Sequence, residues 1–177
     1  MPHAIRIHAH GGPEVLQWEP VDVAAPGRGE VLLRQTAVGL NFIDVYERTG
    51  LYPNPLPAGL GREAAGVVEA AGPGVRGVAT GDRVAYVSSQ SGAYAQYRRM
   101  PAARVVAIPD GVSERLAAAA MLKGLTAQFL LRRTHRVKKG DAVVVHAAAG
   151  GVGLIASQWA HHLGATVIGV VGSDAKA

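Results

Sequence analysis

The sequence predicts a chain of mixed class: a β-rich barrel or sandwich up to about residue 110, then an α/β segment built on one β-α-β unit. Three observations carry this expectation. Short segments of strand character recur before Pro109, separated by turn signals: GGP at Gly11–Pro13, APGRGE at Ala25–Glu30, GPG at Gly72–Gly74 and TGD at Thr80–Asp82. After Pro109 the pattern turns helical. Near the end, a glycine loop stands between an apolar strand-like run and a helix-like run. The boundary between the two parts falls near 110–125.

The elements follow in order. AIRIHAH (Ala4–His10) alternates apolar and polar residues, and EVLLRQTAVGL (Glu30–Leu40) reads as a strand or strand pair. FIDVYERTG (Phe42–Gly50) breaks the alternation and predicts a short helix that stops at Gly50. In that helix Asp44 and Arg48 lie one turn apart, at a spacing suited to an ion pair. The Pro- and Gly-rich stretch LYPNPLPAGLG that follows is no central strand. Further strands are expected at Ala64–Gly72, Asp82–Ser89, Gly92–Met100 and Arg104–Pro109. Ser113–Arg133 is helical, with Ser113 placed to cap its start and Gly124 placed to split it in two. Then come a strand (Ala142–Ala147), the glycine loop, a helix (Val152–Leu163), Gly164 as a stop and a strand (Thr166–Val171).

Composition narrows the classes. Hydrophobic residues make up 49% and charged residues 18%, the balance of a globular protein. The 23 glycines and 10 prolines have no period, so they mark turns and not low complexity. There is no cysteine, which excludes disulfides and any Cys-ligated zinc site. A reducing cytoplasm is compatible with that usage and is the expected location. The net charge of +5 comes without a basic block, since Arg98-Arg99, Arg132-Arg133 and the Arg136/Lys138/Lys139 cluster are short. An enzyme that attracts an anionic cofactor explains the charge better than a nucleic-acid groove. No apolar run reaches membrane-spanning length, so no membrane association is expected. His3, His8 and His10 read as solvated surface, and the adjacent His161 and His162 point apart on their helix.

The glycine loop, HAAAGGVGLIASQWA (His146–Ala160), carries the first functional signal. A dinucleotide-binding β-α-β unit uses a G-x-G-x-x-G turn that admits the pyrophosphate close to backbone at a helix N-terminus. Here Ala148 holds the first glycine position, ahead of Gly150, Gly151, Val152 and Gly153. The strand before and helix after supply the context such a motif needs. From these residues alone two readings stand: a pyrophosphate loop, or a strand–helix turn with no ligand. NAD binders place an acid at the end of the second strand, roughly 20 residues on, to hold the ribose 2′-hydroxyl. Val171 stands there instead, followed by Ser173 and Lys176, a hydroxyl and a cation that suit the 2′-phosphate of NADPH. Asp174 opposes this, and a solvated polar tail is the other reading of the same residues.

Several strings in one order resemble a single family: GGPEVL (Gly11–Leu16), GLNFIDVYERTGLYP (Gly39–Pro53), GLGREAAGVV (Gly59–Val68), GDRVAY (Gly81–Tyr86), GAYAQY (Gly92–Tyr97), MLKGLTA (Met121–Ala127) and the glycine loop. The family is the NADPH-dependent quinone oxidoreductases, the zeta-crystallin-like branch of the medium-chain dehydrogenases/reductases. The resemblance implies a GroES-like β-barrel domain over residues 1–120 and the first β-α-β of a Rossmann domain over 121–177. Family members run about as long again, so the chain is expected to be truncated, to bind NADPH weakly and to turn over poorly alone. Complete members are expected to be homodimers.

The same resemblance implies site roles. Where the zinc-dependent relatives hold their metal with Cys, His and Cys, this chain has Asn41, Arg62 and Lys123, so no metal is expected. The implied reaction is zinc-independent hydride transfer from NADPH to a quinone, whose reduced form is aromatic and needs little acid help. Asn41 and Tyr46 are placed near the nicotinamide, and Tyr52 at the quinone. Lys123 and Thr126 meet the cofactor ribose and phosphate. Lys123 sits in an apolar run where an anionic partner would offset its burial, and a snorkelling surface lysine is the other reading. The competing functions are an NADPH-dependent enone or alkenal reductase of the same fold, and an inactive fragment that retains nucleotide binding only.

Overall fold

Alternation of apolar residues builds the first part of the chain. In the computed structural model, which describes residues 1–177, a five-stranded antiparallel sheet has the order β7-β3-β5-β6-β8. Its strands are β3 (Glu30–Gly39), β5 (Glu63–Ala71), β6 (Arg83–Val87), β7 (Tyr97–Pro101) and β8 (Val106–Ala107). A second sheet has the order β2-β1-β4, from β1 (His3–Ile7), β2 (Gln17–Pro20) and β4 (Ala58–Gly59). Val31 and Leu33 of β3, Ala64 and Val68 of β5, and Val84 and Tyr86 of β6 point to one face and form the core. Gly66 lets β3 and β5 approach, because a Cβ there would strike the Arg34 carbonyl.

The chain divides into two compact units, Met1–Met121 and Leu122–Ala177. The division falls inside helix α2 (Glu114–Phe129). Ser113 accepts the Leu116 N–H at 3.2 Å at the start of this helix. Gly124 does not split it: the helix runs on to Phe129 and ends in a wider turn, Leu130–Thr134. The long flanking run of Ala and Leu outweighs the cost of one glycine.

In the second unit β9 (Ala142–His146) and β10 (Thr166–Val170) pair in parallel, register Ala142 with Thr166 through His146 with Val170. Helix α3 (Gly151–His162) makes the crossover. Ala127, Leu131, Val137, Ala156, Ala160 and Ala165 form its core. Gly164, at φ +86°, turns the chain out of α3.

Other departures from the sequence reading are local. The first strand ends at Ile7, and the expected strand from Gly92 shortens to Tyr97–Pro101. Ala93 and Tyr94 instead give their N–H groups to the Gly61 and Leu60 carbonyls. Residues 102–104 form a tight turn, which leaves two residues of strand where Arg104–Pro109 was expected.

Candidate functional site

In the first unit the candidate residues gather around helix α1 (Phe42–Thr49). Asn41 is its N-cap residue and is buried. Its backbone N–H donates to Asp44 Oδ2 at 2.9 Å, which fixes the helix start. Its side-chain Nδ2 donates to Glu63 Oε1 at 2.8 Å. Asp44 faces inward, where it also accepts the Tyr94 hydroxyl at 2.7 Å. Burial, then the Asp44 hydrogen bond and charge, push the Tyr94 phenol well above its ordinary range. Arg48 therefore has no pair with Asp44; its Nε donates to the Gly11 carbonyl at 3.2 Å. The i, i+4 spacing was right for a pair, but burial of one partner took it away. On the next turn Glu47, also buried, pairs with Arg62.

The outer face of α1 carries aromatic rings. Phe42 meets Tyr46 edge-on at 5.1 Å between centroids, and Tyr46 meets Tyr52 at 5.1 Å. The Tyr52 N–H donates to the Tyr46 carbonyl at 3.1 Å, which ties the following loop to the helix. Phe42 and Tyr52 are exposed and Tyr46 is half-buried. The structure thus brings Tyr46 and Tyr52 together and sets Asn41 beneath the same helix start.

In the second unit the backbone makes the site. Ala147, at φ +52°, takes the one left-handed conformation of a non-glycine residue in the chain. The Gly150 N–H closes a turn on the Ala147 carbonyl at 2.8 Å, and the Ala148 N–H binds the Val170 carbonyl at 3.0 Å. A Cβ at Gly153 would strike the Ala147 carbonyl and lie 2.7 Å from Ala148 Cα, so only glycine fits. Leu154 is the first residue of α3 whose N–H returns to the loop, reaching the Gly150 carbonyl at 2.8 Å. The N–H groups of Gly151, Val152 and Gly153 have no acceptor one turn earlier in the helix, and Gly150 has no side chain to cap them. Such an end favours an anion, which fits the pyrophosphate of a dinucleotide.

Lys123 lies beside this loop: a Cβ at Gly151 would come within 2.8 Å of its Cδ. The Thr126 hydroxyl donates to the Leu122 carbonyl at 2.7 Å, which leaves its oxygen as an acceptor. Beyond β10, Ser173 and Lys176 are exposed, Ser173 just before the last turn, Asp174–Lys176, and Lys176 at its end. That strand ends on the same edge of the sheet as the glycine loop, given the parallel register.

Sequence reasoning missed Glu63, Glu47 and Tyr94. A faint signal existed for Glu63, a lone acid among small residues in GLGREAAG. Asn41 and Arg62 are engaged with Glu63 and Glu47.

The chain is similar to known proteins over nearly all of its length. The alcohol dehydrogenase GroES-like domain matches residues 27–110. A quinone oxidoreductase of Salmonella typhimurium is 53% identical over 174 residues, covering 98% of this chain and 53% of that protein. A 2-haloacrylate reductase of a Burkholderia species is 49% identical, over 97% of this chain and 53% of that protein. The solved structure of Escherichia coli quinone oxidoreductase complexed with NADPH superposes with a TM-score of 0.96 at 49% identity. It is matched over 99% of this chain and 54% of its own. The chain thus spans about half the length of the curated relatives it matches.

Proposed function

We propose that this chain, which belongs to the quinone oxidoreductase family, carries part of an NADPH-dependent quinone reductase: the acceptor side in residues 1–120 and the pyrophosphate cradle in 121–177. The observation that carries the reading is the start of α3, where a loop that admits only glycine at Gly153 leaves three N–H groups without an acceptor one turn earlier in the helix, beside Lys123. When bound, NADPH supplies a hydride. The chain's own residues bind and orient. Gly150, Gly151, Val152 and Gly153 take the pyrophosphate, with Lys123 and Thr126 on the phosphate and ribose. Ser173 and Lys176 hold the 2′-phosphate, and Val171 presents no acid to repel it. Asn41 and Tyr46 stand at the nicotinamide end, and the Tyr52 hydroxyl donates to a quinone oxygen. The quinone accepts the hydride and then a proton from water, giving the hydroquinone. This reaction is zinc-independent here, because the positions that ligate metal in zinc-dependent relatives hold Asn41, Arg62 and Lys123. No helix is long and apolar enough to cross a membrane. We place the protein in the cytoplasm, acting on small molecules and homodimeric when complete.

A second reading has support from one relative, the 2-haloacrylate reductase: the acceptor is an activated carbon–carbon double bond. Loss of NADPH absorbance with a small quinone, measured beside a 2-haloacrylate and a simple enone, separates the two. Faster oxidation with the quinone is expected. No oxidation with any quinone overturns the first reading, and calorimetric NADPH binding without any turnover would leave a nucleotide-binding module.

A further inference from the structure

We infer that Glu63 is a positioning residue that acts through Asn41, fixing which end of its amide faces the cofactor; the inference rests on the placement of Asn41 proposed above. Glu63 is fully buried at the first position of β5. It stands opposite Gly39 in the register, and a Cβ at Gly39 would collide with its carboxyl group. The missing side chain is what gives this carboxylate room. Two residues further on, Asn41 Nδ2 donates to Glu63 Oε1 at 2.8 Å.

The chemistry of that contact settles the orientation. An ionised carboxylate only accepts, so the NH2 end of the amide must turn toward it. A half-turn of the Asn41 amide would bring carbonyl against carboxylate. A hydrogen bond to an ionised acceptor is stronger than one between neutral groups, so the amide stays in one of its two orientations. The neighbouring cation, Arg62, is engaged with Glu47. A polar ligand group at Asn41 therefore meets one fixed pattern, the carbonyl and the second N–H, in place of a mixture.

The test uses the whole chain and three variants, Glu63→Gln, Glu63→Leu and Gly39→Ala. In the cofactor-free protein, nitrogen–proton NMR should show one Asn41 side-chain amide proton shifted downfield and slow to exchange. That signature should persist in Glu63→Gln, whose carbonyl still accepts, and vanish in Glu63→Leu. In NADPH titrations Glu63→Leu should bind about 5- to 10-fold more weakly, the equivalent of one lost hydrogen bond, while Glu63→Gln stays within about twofold of the parent. Gly39→Ala keeps both groups but displaces the carboxylate, so it should reproduce the loss even if Glu63→Leu fails to fold. Folded Glu63→Leu or Gly39→Ala protein with parental affinity and an unmoved Asn41 resonance overturns the inference. A parent chain that binds no NADPH overturns the proposed function and this role with it, while the spectrum still reports the Asn41–Glu63 pair separately.

Discussion

The two units build their candidate sites from opposite materials. The first buries Asn41, Asp44, Glu47 and Glu63, and no other polar or charged residue of the chain is buried as deeply. The second has a core of alanine, leucine and valine and offers a ligand its backbone. A site of side chains needs partners from distant segments: Glu63 reaches Asn41, and Tyr94 reaches Asp44. A site of backbone N–H groups needs only a turn of the right shape, which a few consecutive residues specify. The first should fail through loss of fold, and the second through loss of ligand with the fold intact.

The largest effect should come from Arg62→Ala. It leaves Glu47, 1% exposed, as a buried carboxylate without its cation. Breaking a buried pair on one side costs about 3–5 kcal/mol, and urea unfolding should show that loss. Replacing both partners, Arg62→Met with Glu47→Leu, should recover most of it; if the double variant is no better than the single, the pair is not what Arg62 supplies. Gly153→Ala comes next and tests the other side of the comparison. Its methyl would strike the Ala147 carbonyl and reshape the loop. NADPH affinity should fall more than about 10-fold, while the unfolding of the first unit stays unchanged. Parental affinity in this variant would show that the loop is only a turn.

The same division explains how much was legible in the sequence. The β-α-β unit, the stop at Gly164 and the start of α3 are local, and Gly150–Gly153 announce them in consecutive residues. The α1 boundaries at Asn41 and Gly50 were legible for the same reason. The buried network was not. Nothing adjacent to Tyr94 says that its hydroxyl meets Asp44, and the local spacing of Asp44 and Arg48 pointed to a different partner. The strand expected from Gly92 shortened because loop carbonyls at Leu60 and Gly61 took its N–H groups, a competition between distant segments. Gly124 misled in the other direction, since a punctuation residue was overridden by the helix around it.

Smaller effects refine the contrast. Lys123→Ala should weaken NADPH binding about 3- to 10-fold, with a shallower salt dependence than the parent. Equal affinity at low salt would reduce Lys123 to a surface lysine.

The smallest expected change is Tyr94→Phe, and its size depends on pH. The variant removes one donor from Asp44, whose other oxygen already has no partner. Near neutral pH this should cost about 1 kcal/mol or slightly more. In alkali the difference should shrink. The folded-state pKa of Tyr94 is raised above its ordinary value of 10.0, chiefly by burial and then by Asp44. The stability it contributes is therefore complete below pH 10, where the phenol is neutral in both states. Above that pH the unfolded chain ionises its tyrosine while the folded chain resists, so the contribution shrinks as pH rises toward the folded value. The parent should lose stability faster than Tyr94→Phe above pH 10, and the gap between them should narrow. Urea unfolding at neutral pH and in alkali, with both proteins in parallel, measures it. Parallel curves would mean that Tyr94 ionises as freely folded as unfolded, and that the first unit does not hold this hydroxyl away from water.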